Sequence, residues 1–220
     1  HQTTKPPHHQ TTTQNNTTKQ QQTFDHHNML VDNITPGKMV CMFGPKGCGK
    51  TTCAKQLCML NQFDKTVVFT ICPDQWLGFE THDTTKMTAA EFEQVLQSLI
   101  DDQKAGSNSL LVVFDQASDL HFKSKQVHFL AYNSRWFSTA VIFVEQMPKA
   151  VPFYVRHQAD IVMSGRFNSA KSGGKIYREF SHLESLSNFQ AAQPGTFEFM
   201  VADSKTVEYY TPGSELHARM

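Results

Sequence analysis

"KMVCMFGPKGCGKTTCAKQL", residues 38–57, is apolar from Met39 to Phe43, turns on Gly44, Gly47 and Gly49, and ends in Lys50 and two threonines heading a helical segment. Gly44, Gly49, Lys50 and Thr51 satisfy G-x-x-x-x-G-K-[ST] without an exception, which is the signature of a phosphate-binding loop between a strand and a helix. The glycines let the backbone fold so that successive N–H groups converge on an anion. The helix that follows adds the positive end of its dipole. The expected nucleotide-binding residues are therefore Gly44, Pro45, Lys46, Gly47, Cys48, Gly49, Lys50, Thr51 and Thr52. Lys50 is expected to reach the β- and γ-phosphates of ATP as a point charge, and the Thr51 hydroxyl to coordinate Mg²⁺. Thr52 reads as a helix residue near the nucleotide rather than a ligand.

The chain has 220 residues, enough for one α/β domain and little more. Residues 1–23, "HQTTKPPHHQTTTQNNTTKQQQT", hold no aliphatic or aromatic side chain, so they bury too little apolar surface to offset chain entropy. They are expected to be a disordered leader, with the ATPase domain spanning 24–220. The histidines at 1, 8, 9, 26 and 27 have no cysteine among them and no fixed geometry, which suits a solvated leader better than a metal site. The first residue is His1 rather than a methionine, which leaves a preceding piece open. Five cysteines lie between Cys41 and Cys72, with no C-x-x-C pair, and read as reduced thiols of an intracellular protein. No apolar run approaches the length of a membrane span, so a soluble protein is expected. Net charge is zero, but residues 61–120 carry three lysines against ten acids, and residues 121–180 nine bases against three acids. Such a split suits a polyanion-binding face, the basic side of one subunit meeting the acidic side of another, or charges scattered over a solvated surface.

Further along, Thr66–Cys72 reads as a buried strand. Thr88 and Glu91 form a capping box for a helix to about Lys104, with Phe92, Val95, Leu96 and Leu99 at helical spacing and Gly106 as its stop. "SLLVVFDQASD" is a continuous apolar strand ending in Asp115, where an aspartate beside a phosphate loop holds Mg²⁺ through water; an ordinary strand-ending aspartate is the alternative. Another strand, Thr139–Glu145, ends at Gln146, and an alternating hairpin closes the chain around Asp203-Ser204-Lys205. This order predicts an α/β, RecA-like P-loop NTPase with a mainly parallel sheet flanked by helices, in which an added strand separates the P-loop strand from the aspartate strand. In that architecture Gln146 sits near the γ-phosphate as a sensor; otherwise it is a polar residue leaving a strand for the "MPKAVP" turn.

The segment "FSTAVIFVEQMPKAVPFYVRHQADIVMSGRF", residues 137–167, resembles the FtsK-HerA superfamily of DNA-pumping ATPases, in particular the genome-packaging ATPases of poxviruses, giant DNA viruses and virophages. The resemblance rests on the strand ending in Gln146, on Pro152 followed by Arg156, and on a second strand near Ile161–Met163 followed by Arg166. It covers roughly residues 30–210. It implies a ring of five or six copies that drives double-stranded DNA into a capsid, docked on capsid or vertex proteins, with the host cytoplasm or the virion as its place. It also implies an arginine given by a neighbouring subunit to the transferring phosphoryl group, with Arg166 the first candidate, Arg156 the second and Arg135 behind them. Pairing with carboxylates of the same subunit, or contact with DNA phosphates, is the other reading of these arginines. One departure stands out: many relatives follow the metal-binding aspartate with a water-polarising glutamate, and here that position is Gln116. An amide can orient water but takes up no proton, which leaves Asp119 and Glu145 as substitute bases.

Two rivals remain at the level of sequence. A small P-loop kinase would use "SGRFNSAKSGGKIYR", residues 164–178, as an arginine-bearing lid; the basic "SAKSGGKIYREF" within it is otherwise a DNA-contacting loop or a plain surface loop. A nucleotide-dependent DNA-binding switch would use slow hydrolysis only to time release.

Overall fold

Met39–Phe43 (β1) is buried at all five positions because strands flank it on both sides. Its residues divide by alternation: Met39, Cys41 and Phe43 enter one apolar cluster, Val40 and Met42 the other. A continuous apolar run is what a parallel strand covered on both faces requires. The computed structural model describes residues 30–106, 108–117, 121–167, 174, 176, 178–183 and 194–213. The leader 1–23, Asp119 and most of the basic segment 169–180 lie outside the described residues.

The helix α1 (Lys50–Leu60) follows the loop, and β2 (Lys65–Thr70), β3 (Glu80–Asp83), α2 (Ala89–Lys104) and β4 (Leu110–Asp115) come next. Then follow α3 (Lys125–Asn133), β5 (Thr139–Glu145), α4 (Phe153–Gln158), β6 (Ile161–Gly165), β7 (Phe199–Ala202) and β8 (Val207–Tyr210). Together the strands form one eight-stranded sheet in the order β3-β2-β4-β5-β1-β6-β7-β8. Strands β3 through β6 in that order are parallel, and β7 and β8 add an antiparallel hairpin. The separating strand expected of a RecA-like sheet is β5, which pairs with β1 on one side and β4 on the other.

Helices cover both faces. Cys53, Ala54 and Leu57 of α1 pack with Val31 and Ile34 on one face, and Phe92 and Leu96 of α2, Val127 and Leu130 of α3 and Val155 of α4 pack on the other. Across that second face the rings of Phe69, Phe114 and Phe143 stack from β2 to β5, with centroids 5.4 and 5.0 Å apart. Such stacking adds to the burial of each ring and holds neighbouring strands in register.

Two boundaries differ from expectation. β2 ends at Thr70 rather than Cys72, because the Thr70 hydroxyl accepts the Cys72 N–H at 3.1 Å and turns the chain into a 3₁₀ segment, Pro73–Trp76. The short edge strand β3, "ETHD", carries no apolar alternation and was not expected; its pairing with β2 makes it a strand.

Candidate nucleotide site

The groups singled out in the sequence gather at the carboxyl ends of the parallel strands, where α/β sheets place their ligands. Phe43, the last residue of β1, pairs with Glu145 and with Ser164, and Asp115 pairs with Val144. The phosphate loop, Asp115, Gln116, Gln146 and Arg166 therefore leave neighbouring strands at one edge of the sheet.

Gly47 and Gly49 have φ of 81° and 90°, left-handed values that a side chain would strain. Lys50 opens α1 and is buried; its Nζ donates to the carbonyls of Gly44 at 2.8 Å and Pro45 at 3.0 Å. The ammonium thus lies folded back over its own loop. The Cys48 thiol fills the notch between the loop and β6, so closely that a Cβ built on Gly44 would stand 2.5 Å from its sulfur and one on Gly165 3.0 Å. Burial raises the pKa of Cys48 against the pull of Lys50, which keeps it a packed thiol rather than a nucleophile. Thr52 is exposed on α1.

Asp115 is 3% exposed and lies on the α1 face of the sheet with Val113. Its Oδ2 accepts two hydrogen bonds, from Thr51 Oγ1 at 3.0 Å and from Trp76 Nε1 at 2.9 Å. Its Oδ1 is buried with no described donor. Burial pushes the carboxyl above its ordinary pKa, and the Trp76 and Thr51 hydrogen bonds, then Lys50 and Lys55, pull it back. A hydroxyl beside a carboxylate with a buried, unengaged oxygen is a hard-oxygen donor set, and it fits Mg²⁺. The described residues hold no cluster of three or more His, Cys, Asp or Glu side chains. Sparse protein ligation is usual for Mg²⁺, whose remaining positions go to water and substrate phosphates.

Nothing in the sequence pattern singles out Trp76. It is fully buried in the loop after β2, 39 residues from Asp115, with Lys55 Nζ 5.9 Å from its ring centroid. Only its place after a strand adjacent to β4 hints at the contact.

Gln116 adopts φ of 54°, a value rare for a residue with a side chain, while its N–H donates to Val144 O at 2.9 Å. Gln146 is exposed just past β5. Glu145 is buried, and the alternation of β5 puts it on the face of Phe143, opposite to that of Asp115. This orientation speaks against Glu145 as the substitute base.

The arginines part company. Arg156 is 9% exposed and engaged within its own chain: Nη1 donates to Pro148 O at 3.1 Å and Val151 O at 2.7 Å, and Nη2 pairs with Glu179 at 3.0 Å. It ties α4 to the turn before it within its own chain. Arg166 is exposed and borders a cavity of about 510 Å³ beside its own phosphate loop, together with residues 45–48, Phe167, Thr196 and Phe197. Within one chain, Arg166 stands beside its own phosphate loop. Arg135 lies away from the loop, paired with Asp160 at 2.7 Å near the amino ends of β1 and β5.

A phosphate loop, an aspartate two strands away and one strand between them define a RecA-like P-loop nucleotide-binding fold. The same fold is found in the genome-packaging NTPase B204 of Sulfolobus turreted icosahedral virus 2, solved with ATP-gammaS (TM-score 0.61, 16% identity, covering 80% of this chain and 97% of that one). It recurs in the pCW3 conjugation coupling protein TcpA (TM-score 0.61, 12% identity, covering 83% of this chain and 62% of that one). It recurs again in ATPases 2 and 3 of EssC from Geobacillus thermodenitrificans (TM-score 0.60, 10% identity, 80% of this chain and 40% of that one). The RecA-like fold expected from the sequence is the fold of these structures. No protein-family model matches the sequence, and no curated protein matches it.

Proposed function

We propose that this chain is a genome-packaging ATPase, a homo-oligomeric ring that couples hydrolysis of Mg²⁺-bound ATP to movement of double-stranded DNA into a capsid. The observation that carries the reading is the sheet order. β5 stands between the loop strand and the Asp115 strand, and the resulting fold covers 97% of a viral packaging NTPase rather than a fragment of it. In this reading residues 44–49 cradle the phosphates, Lys50 leaves the Gly44 and Pro45 carbonyls for the β- and γ-phosphates, and Thr51 and Asp115 hold the cation. The cation supplies charge neutralisation on the phosphoryl oxygens. Gln146 senses the γ-phosphate from the tip of β5. Gln116 orients the attacking water by its amide, held by its left-handed backbone at the end of the Asp115 strand. Arg166 stabilises phosphate charge in its own subunit. The bases of residues 121–180 give DNA phosphates a counterpart that is blind to sequence.

The test is turnover of the full chain with Mg²⁺ and ATP, with and without duplex DNA of unrelated sequences. DNA should raise phosphate release whatever its sequence, the stimulation should fall steeply with salt, and Lys50→Ala should abolish turnover. Transfer of the phosphoryl group to a small acceptor would move the assignment to a kinase. Turnover indifferent to DNA at every salt concentration would remove the motor.

A further inference from the structure

The phosphate loop accounts for the triphosphate of a nucleotide and says nothing about its base. The cavity beside the loop is bordered by a different chemistry. Phe197 is 58% exposed, and its ring lies against the loop, so that a Cβ built on Gly49 would stand 3.4 Å from its Cδ1. Its backbone has φ of 59°, inside a turn in which the Glu198 carboxylate accepts the Gly195 N–H at 2.6 Å. A bulky residue in the left-handed region is strained, and glycine would take that position at no steric cost. Exposure of the ring and strain of the backbone both disfavour phenylalanine in the free protein, and such outliers cluster at ligand clamps. Lys46, Arg166 and Thr196 also border the cavity, and its described lining includes no carboxylate or side-chain amide.

We infer that Phe197 is the platform on which the purine base of the bound nucleotide stacks. The inference rests on the assignment of residues 44–51 as the phosphate site and deepens it. Aromatic rings recognise a base by its face, with affinity gains that do not need edge hydrogen bonds. Phe197 is a binding residue here, not one that touches the reacting phosphate.

The experiment separates base from phosphate. Affinities of the full chain for AMPPNP and for inorganic triphosphate, each with Mg²⁺, are measured in the wild type and in F197A, F197W and F197G. F197A should weaken AMPPNP at least about fivefold, the lower end of what loss of one base–aromatic stack produces. Its affinity for inorganic triphosphate should change less than about twofold, since no base is present to stack. F197W should bind AMPPNP as the wild type does. F197G should lose affinity as F197A does while keeping or raising the thermal midpoint, because it removes the left-handed strain. Equal weakening of both ligands by F197A would assign the ring to support of the loop and overturn the inference. So would unchanged or tighter AMPPNP binding. A wild type that binds neither ligand, or a Lys50→Ala chain that binds both as well as the wild type, would overturn the phosphate site itself.

Discussion

Asp115 sits between two demands. Its carboxylate must be ionised to hold a cation, yet it lies 3% exposed at the end of an apolar strand, where charge is disfavoured. Trp76 and Thr51 ease that conflict by donating to Oδ2 at 2.9 and 3.0 Å, and they leave Oδ1 for the metal. Burial is still the largest influence on the group and raises its pKa above the ordinary carboxylate range. The folded chain therefore keeps this proton to higher pH than the unfolded chain, whose aspartate titrates near ~3.9. The stability this group contributes is complete below that value and lost as pH rises through the raised folded one. Asp115→Asn keeps an acceptor for Trp76 and Thr51 without the charge. In the metal-free protein it should raise the thermal midpoint at neutral pH, where the wild-type carboxylate must carry a buried charge that the amide does not. The gain should fade as pH drops into the ordinary carboxylate range, and ATP hydrolysis should be lost. A midpoint difference that stays constant from acid to neutral pH would show that the buried carboxylate is not under strain.

At the scale of elements, helix α2 shows how far local sequence reaches. Thr88 accepts the Glu91 N–H at 3.2 Å, and the Glu91 carboxylate accepts the Thr88 N–H at 2.7 Å. Thr88→Ala should lower stability by ~1 kcal/mol in denaturant unfolding and leave ATP turnover unchanged, because α2 packs on the sheet face away from α1. A larger loss together with lost activity would mean that α2 supports the site. This box, the loop from Gly44 to Thr51 and the apolar run into Asp115 were legible because each is written in contiguous residues. β3 was not, since "ETHD" becomes a strand only through pairing with β2 and through contacts such as Lys65 with Glu80 at 3.1 Å. Trp76 was equally hidden, because its bond to Asp115 exists only once β2 and β4 lie side by side. Arg166 stands beside the phosphate loop, while Arg156 is engaged by Pro148, Val151 and Glu179 of its own chain. Their roles were not legible, because spacing does not say where a side chain points or which carbonyls and carboxylates will meet it.

For the whole molecule, the sheet brings the loop, Asp115 and Arg166 of a single chain to one pole. If Arg166 serves its own subunit, Lys50→Ala and Arg166→Ala damage the same site. Mixing the two inactive chains should then recover no ATPase, even when titrated over all ratios, since no subunit in the mixture holds both groups. Recovery would instead place Arg166 across a subunit boundary, with the cavity beside the loop as part of that interface. Mixtures of wild type and Lys50→Ala ask the separate question of whether the copies act together. In a ring whose subunits fire in coordination, one dead site stalls its neighbours. DNA-stimulated turnover should therefore fall faster than the wild-type fraction, with sedimentation confirming that mixed oligomers form under the same conditions. Turnover that simply tracks the fraction of wild-type chains, in oligomers shown to be mixed, would mean that each sheet hydrolyses ATP by itself, and a coordinated packaging ring would no longer describe the assembly.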